Sequence, residues 1–206
     1  ELVDLGWTGI NLPESVGGSG LGIAALIPVV ESMGKGLMGT PLVSTVLAAE
    51  LIRRAGGIAE EDVLEDISGG CAATVAYLDG SDWGATNTGV SVDANGVLSG
   101  SKFMVSDAAQ ATWIAVVGSD AAGDAVVALV AGRDVAAQAQ ASHALIDLTK
   151  RASTLDLTGV KAQRVLSGDK VASAIRDYLL IGALLTAAEA VGSTSACLAG
   201  IVDYLK

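Results

Sequence analysis

Cysteine, histidine and aromatic side chains are scarce in this sequence. Its 206 residues hold two cysteines, Cys71 and Cys197, and one histidine, His143. Two thiols cannot make a disulfide framework, and a single imidazole leaves too few soft ligands for a zinc site, so a reducing, cytoplasmic location is expected. The seven aromatic residues are Trp7, Tyr77, Trp83, Phe103, Trp113, Tyr178 and Tyr204. They are too few and too scattered to build stacking platforms for bases, and they leave the core to Ala, Val, Leu and Ile. Basic residues are short as well. Twelve Lys and Arg against 23 Asp and Glu give a net charge of −11, the wrong sign for tracking phosphates, so nucleic acid is not an expected partner. The longest unbroken apolar run, Leu179 to Leu185, falls far short of the roughly 20 residues that cross a bilayer, and no membrane span is expected. The chain opens on Glu-Leu-Val-Asp with no basic start, no cleavable apolar run and no initiator Met, so no signal peptide is expected and the start reads as that of a fragment or a processed chain.

What remains is 51% apolar and long enough for one large core or two modest ones. Periodicity divides it into three zones. Residues 1–70 are acidic and helical in pattern, with ten Asp and Glu against three Lys and Arg. Within them Leu12-Pro13-Glu14-Ser15-Val16-Gly17-Gly18-Ser19-Gly20 reads as a loop. Gly17-Gly18-Ser19-Gly20-Leu21-Gly22 fits neither dinucleotide-binding nor Walker spacing and is expected to be a plain connection. Ile23, Leu26, Ile27, Val30 and Met33 follow the spacing of a buried helical stripe, with Pro28 expected to kink it and Gly34 and Gly36 to end it. A second helix is bounded by Thr40 as N-cap, Pro41 at its first position and Gly56-Gly57 as terminator, with Leu42, Val46, Leu47 and Leu51 on one face. A short acidic helix, about Ala59 to Ile67, follows.

From Cys71 to Gly168 the period changes to two. Strands are expected at Ala72–Tyr77, Thr88–Val92, Val97–Val105, Thr112–Val117, Ala125–Ala131, Ala152–Leu157 and Val160–Val165, with hairpin turns at Asn95-Gly96 and Ala122-Gly123. Short turns without intervening helices favour an antiparallel barrel or sandwich. From Asp169 to Lys206 one long helix is expected. It is apolar on all sides from Leu179 to Ala188, and Gly182, Gly192 and Ala196 lie along one line where another helix could come close. That helix cannot cover itself, so the isolated chain is expected to expose its apolar face and self-associate.

Generic catalytic patterns are missing. His143 has no poised partner and reads as a surface or turn residue. Asp79 and Asp82 read as turn residues. Glu189 sits in Leu-Leu-Thr-Ala-Ala-Glu-Ala-Val-Gly, where desolvation would raise its pKa toward that of a useful base, although a structural partner for a buried glutamate serves equally well.

In order, the motifs resemble those of the acyl-CoA dehydrogenase family. Gly6-Trp7-Thr8-Gly9-Ile10-Asn11-Leu12-Pro13-Glu14-Ser15-Val16-Gly17-Gly18 is similar to its N-terminal Gly-Trp…Pro-Glu…Gly-Gly loop. Glu31-Ser32-Met33-Gly34, Pro41 and Ala48-Ala49-Glu50 resemble its paired helices. Leu98-Ser99-Gly100-Ser101-Lys102-Phe103-Met104-Val105-Ser106-Asp107-Ala108, with Ala111 and the strand Trp113 to Val117, is similar to its Gly-x-Lys-x-Trp-Ile-Thr-Asn…Ala segment. Ala190-Val191-Gly192 and Tyr204 resemble its third-domain helix.

The resemblance implies an α+β chain with an N-terminal α-helical domain (1–70), a middle antiparallel β-barrel domain (71–168) and the first helix of a C-terminal helical bundle (169–206). It implies FAD as cofactor and α,β-dehydrogenation of an acyl-CoA thioester, in fatty acid or steroid side-chain degradation. It also implies a homo- or hetero-oligomer, a tetramer being usual in the family, with an electron-transfer flavoprotein as possible electron partner. Carried over residue by residue, the cofactor-binding positions are Gly80, Ser81, Met104, Val105 and Ser106, with Gly80-Ser81-Asp82 at the family's Gly-Ser-Asp and Ser106 in place of a threonine beside flavin N5. Three departures accompany these. Val75-Ala76-Tyr77 replaces Thr-Glu-Pro, Met104 replaces a tryptophan, and Gly182 with Ala183 stands where one branch carries its base glutamate and an arginine. The other base position and the segment that binds a neighbour's FAD would fall after Lys206, so the sequence reads as a fragment with no identified catalytic residue and no dehydrogenation by the chain alone. The alternatives are a non-catalytic partner subunit of a hetero-oligomeric dehydrogenase and a ligand-free structural protein on the same fold.

Overall fold

The computed structural model describes residues 5–56, 60–83, 86–136 and 140–206. Helix α1 (Leu26–Lys35) is preceded by a 3-10 turn at Ile23–Ala25. Pro28 is its third residue, inside the first turn where backbone N–H groups have no partner within the helix, so its missing N–H, the expected cause of a kink, costs the helix no hydrogen bond. Helix α2 (Leu42–Gly56) begins where expected, with the Leu42 N–H donating to Thr40 Oγ1 at 3.2 Å and the Thr45 N–H to the Pro41 carbonyl at 3.0 Å. Its terminator Gly57 and the expected start of the next helix at Ala59 lie outside the described residues. Helix α3 (Glu61–Ser68) buries Val63, Leu64 and Ile67.

The strands are β1 (Ala73–Ala76), β2 (Ser91–Val92), β3 (Leu98–Ser99), β4 (Ser101–Ser106), β5 (Trp113–Ser119), β6 (Ala125–Ala131), β7 (Gln140–Ser142), β8 (Ala152–Asp156) and β9 (Arg164–Leu166). They form two sheets: six strands in the order β3-β2-β5-β6-β9, with β1 also beside β5, and three in the order β4-β8-β7. Among the described residues the sheets do not join into a closed barrel, and β5 is paired in parallel with both β1 and β2. Two physical causes separate this from the expected antiparallel barrel. The long excursion from β1 to β5 allows a parallel return. Gly100, at φ 123°, breaks the expected strand Val97–Val105 into β3 in one sheet and β4 in the other.

Alternation along β5 explains the layers. Ile114 and Val116 face a core between the sheets with Val105, Val126, Val130 and Leu155. Ala115 and Val117 face a second core with Leu129 of β6 and with Leu51, Ile52, Ile67 and Val171 from the helices. Helix α2 therefore lies between the large sheet and the remaining helices, and Ala48, Ala49, Leu51 and Ile52 are all fully buried. A short helix α4 (Gly132–Ala136) and strand β7 follow β6. Neither stands out in the sequence.

Helix α5 (Lys170–Tyr204) runs 35 residues. Ile181, Leu185 and Ala188 pack with Leu26, Val30 and Met33 of α1 and with Leu42 and Val46 of α2. A Cβ added to Gly192 would lie 1.9 Å from the Glu31 carbonyl oxygen, and one added to Gly34 would lie 2.0 Å from that of Glu189, so the two helices touch backbone to backbone there. Gly182 makes no such contact, because its nearest neighbour is a Leu47 methyl at 3.8 Å. Leu180, Leu198 and Ile201 are exposed. By length and composition α5 passes as a membrane-crossing segment. An uninterrupted-run criterion misses this, because small polar residues break its runs without lowering its average much. Core helices share the property.

Candidate functional site

Helices α2 and α5, strands β1 and β4 and the segment before β8 enclose a cavity of about 470 Å³. Val43, Ser44 and Leu47 enter from α2, Thr74 and Val75 from β1, and Met104 and Ser106 from β4. Helix α5 contributes Tyr178, Leu179, Thr186 and Glu189, and the segment before β8 contributes Leu145, Lys150 and Arg151. One end is apolar and aromatic. There Tyr77 and Tyr178 meet with ring centroids 5.8 Å apart and planes tilted by 56°. Burial, with Tyr77 alongside, pushes the Tyr178 phenol up to about 12, so it stays a neutral hydroxyl at ordinary pH.

The other end is charged. The Ser44 hydroxyl donates to Asp107 Oδ2 at 2.7 Å. Burial raises the Asp107 carboxyl above the usual aspartate range, against the opposing pull of that bond, Lys150 and Arg151. Lys150 forms an ion pair with Glu189 across the cavity, from the segment before β8 to α5. Glu189 is thus a partly buried carboxylate on the wall with a structural partner in Lys150.

Strand β4 carries an irregularity. Its pairing with β8 shifts register between Lys102 and Val105, leaving Met104 outside the regular ladder at φ 53°. A left-handed methionine is uncommon and costs about 1–2 kcal/mol, a cost that concentrates at functional sites. Asp107 shares that φ.

Of the sequence-predicted cofactor positions, Met104 and Ser106 lie on the cavity wall. The Val105 side chain is 1% exposed in the core between the sheets, so it has only its backbone to offer. Gly80 and Ser81 sit in the turn after Leu78; Leu78 is on the wall, and neither Gly80 nor Ser81 lines it. Three further residues escaped the sequence. Asp107 and Ser44 are 63 positions apart and meet only in the fold. Lys102 is fully buried, its ammonium donating to the Tyr77 carbonyl at 2.8 Å, the Asn87 carbonyl at 2.8 Å and Asp79 Oδ1 at 2.5 Å. The Lys-x-Met-x-Ser pattern could have flagged Lys102, since a lone cation in an otherwise apolar strand calls for a partner.

The remaining candidates are ordinary structure. The Gly17–Gly22 segment is a connection in which the Ser19 N–H bonds the Gly9 carbonyl and the Gly20 N–H bonds the Leu12 carbonyl. His143 lies edge-on to Phe103 at 5.0 Å, with Nε2 2.8 Å from Thr154 Oγ1.

Residues 1–61 match the acyl-CoA dehydrogenase N-terminal domain. No curated protein matches the chain. Among solved structures, a variant of the Tcur3481–Tcur3483 steroid ACAD is 29% identical with a TM-score of 0.84, covering 100% of this chain and 56% of that one. The ChsE4–ChsE5 complex from Mycobacterium tuberculosis is 27% identical with a TM-score of 0.76, covering 98% and 55%. A glutaryl-coenzyme A dehydrogenase bound to glutaryl-CoA shares the fold at a TM-score of 0.87 and 24% identity, covering 98% and 56%. The helices flanking a two-sheet β unit are thus an arrangement this chain shares with these structures. In its N-terminal segment the chain is similar to the acyl-CoA dehydrogenase family's N-terminal domain, and it shares its fold with these structures. It spans just over half the length of these structures.

Proposed function

We propose that the chain is part of an FAD-dependent enzyme that dehydrogenates an acyl-CoA thioester between its α and β carbons. The observation that carries this is the cavity itself, apolar and aromatic at one end, carboxylate-bearing at the other, and walled on one side by the strained Met104. A flat amphipathic ring system fits such a wall. Met104 supplies a polarizable face, Ser106 a hydroxyl, and the irregular stretch of β4 backbone groups outside the regular ladder. FAD, when bound, supplies the hydride acceptor that no side chain can. Gly80, Ser81, Met104, Val105 and Ser106 are the positions we assign to its contacts, Val105 through its backbone. The chain's own part is to orient the acyl group between α2 and α5, exclude water, and present carboxylates for the α proton. Glu189 and Asp107 are the two on the wall. The division into 1–70, 71–168 and 169–206, a tetrameric assembly, an electron-transfer flavoprotein as electron partner and a cytoplasmic setting belong to this proposal.

One relative is a steroid ACAD, and a cavity of about 470 Å³ supports a bulky acyl group for this chain too. A second function has its own support. Gly182 occupies the family's base position, α5 leaves Leu180, Leu184 and Val191 exposed, and a relative is a complex of two differently named chains. This favours a non-catalytic partner in a hetero-oligomer. The test is flavin content followed by anaerobic addition of acyl-CoA thioesters of graded bulk. Bound FAD that bleaches on mixing supports the first function, and flavin appearing only with a second subunit supports the other. A protein that stays flavin-free in its native assembly with excess FAD overturns the first.

A further inference from the structure

Segments 77–79 and 87–89 are the two limbs of the loop that carries Gly80 and Ser81, and no sheet pairing joins them. They are joined instead through one side chain. Lys102, 0% exposed, donates to the Tyr77 carbonyl on one limb, to the Asn87 carbonyl on the other, and to Asp79. Asp79 completes the crossing. Its N–H donates to Asn87 Oδ1 at 2.9 Å and its Oδ2 accepts from the Gly89 N–H at 2.7 Å. The Phe103 N–H, next to Lys102 on β4, holds the Leu78 carbonyl at 2.7 Å. Two residues beyond Lys102 the ladder is irregular and Met104 enters the cavity wall, facing the same space as Tyr77 and Leu78.

We propose that Lys102 is a positioning residue, an ammonium latch that closes the two limbs of this loop and so fixes the Tyr77–Leu78 wall of the cavity against Met104. The latch stands on these contacts alone and holds whatever the cavity binds. Three acceptors, on both limbs of the loop, converge on one buried donor group. Removing the cation leaves two carbonyls and a carboxylate facing a gap. The charged group that meets Lys102 is Asp79. Tyr77 and Asn87 face it with backbone oxygens, and Leu155, its partner on β8, is apolar. Burial depresses the Lys102 ammonium below the usual lysine range, more than Asp79 restores. The latch should therefore release at an alkaline pH at which surface lysines are still charged.

The test is amide hydrogen exchange on the full chain, with Lys102→Met and Asp79→Asn beside the wild type. In Lys102→Met the amides of Asp79, Gly89 and Phe103 should exchange roughly tenfold faster or more, while those of β5 and β6 keep their protection and report an intact fold. Asp79→Asn should show a smaller rise. In the wild type, protection of the same three amides, corrected for intrinsic rates, should fall at high pH with a midpoint below that of free lysine, about 10.4. Lys102→Met should show no such midpoint. If Lys102→Met fails to fold, the wild-type titration decides alone. Unchanged protection of the three amides in the variant, or a wild-type profile that follows β5 and β6 at every pH, overturns the latch.

Discussion

Replacing Gly192 by Ala sets two known effects against each other. In a helix interior, Gly to Ala adds about 1 kcal/mol of stability through propensity alone. At Gly192 the new Cβ would lie 1.9 Å from the Glu31 carbonyl oxygen, 2.8 Å from its carbon and 2.9 Å from the Lys35 nitrogen. All three are backbone atoms of α1, so no side chain can swing aside. Restoring ordinary van der Waals distance requires α1 and α5 to part by about 1.5 Å, and a gap of even half that forfeits a substantial fraction of each dispersion contact it opens. The contacts at stake are those among Val30, Met33, Leu185 and Ala188. Overpacking of this kind costs about 1–3 kcal/mol. A backbone-to-backbone clash belongs at the upper end, so after the propensity gain Gly192→Ala should lose about 2 kcal/mol. Gly200→Ala, with nothing within 4 Å, and Gly182→Ala, with Leu47 at 3.8 Å, should each gain up to about 1 kcal/mol on the same helix. Urea unfolding followed by circular dichroism measures all three. Because Gly34 meets Glu189 at the same crossing, Gly34→Ala on top of Gly192→Ala should cost less than it does alone, the gap being already open. A Gly192→Ala protein as stable as Gly200→Ala would refute the close crossing.

Glu50 is 1% exposed and bonded to Asn11, Arg53 and Arg54. Burial pushes its carboxyl up, but the bonds from Arg53, Asn11 and Arg54 outweigh this and hold it below the usual range. Its contribution is therefore complete above about pH 4.3 and is lost as pH falls through the depressed value. Glu50→Gln should cost about 1.5–3 kcal/mol at neutral pH and flatten that acid limb in urea titrations at several pH values. Asp107 is the opposite case. Its raised pKa means that the ionised form is disfavoured on folding, so Asp107→Asn should be the more stable protein at neutral pH, with the advantage shrinking as pH falls through the raised value and gone below the usual aspartate value. Asparagine tolerates φ 53° and can still accept from Ser44, and a melting comparison at two pH values decides. Thr40→Ala, which removes the cap of α2, should lower stability by about 1 kcal/mol in the same melts.

Elements whose cause is local could be read from the sequence. Thr40 and Pro41 open α2 because a cap and a missing N–H act within one turn. The β5–β6 hairpin follows from alternation on either side of Gly123, which takes φ 87° while the Asp120 carboxylate accepts from Ala122 and Asp124. What escaped depends on distant partners. The glycines along α5 look alike in sequence, yet Gly192 touches a backbone and Gly182 does not, because only one of them lies at the crossing with α1. A proline near a helix start acts through its offset from the first residue, and a two-residue error in that boundary turns a Pro28 that costs no hydrogen bond into a kinking one. Gly100 looked like one more residue of a strand until the second sheet drew β4 away.

The candidate site shows the same division more sharply. Met104 and Ser106 are two apart on one strand, so alternation alone places them together on the wall. Their polar and charged companions come from three other places in the chain: Ser44 from α2, Lys150 from the segment before β8, and Glu189 from α5. Of these three, Glu189 is marked by its apolar surroundings in the sequence, whereas Ser44 and Lys150 have no local signature. Lys102 goes furthest. In an isolated strand a lysine at that position would reach into water, and it is buried here only because the 77–89 loop arrives with two carbonyls and a carboxylate already aimed at it. The loop has its own crossing bonds between Asp79 and both Asn87 and Gly89, and the cation adds the charged contact that spans the two limbs. On the proposed latch the two halves support one another, so the Tyr77–Leu78 wall of the cavity and the stretch of β4 around Met104 should lose their protection together.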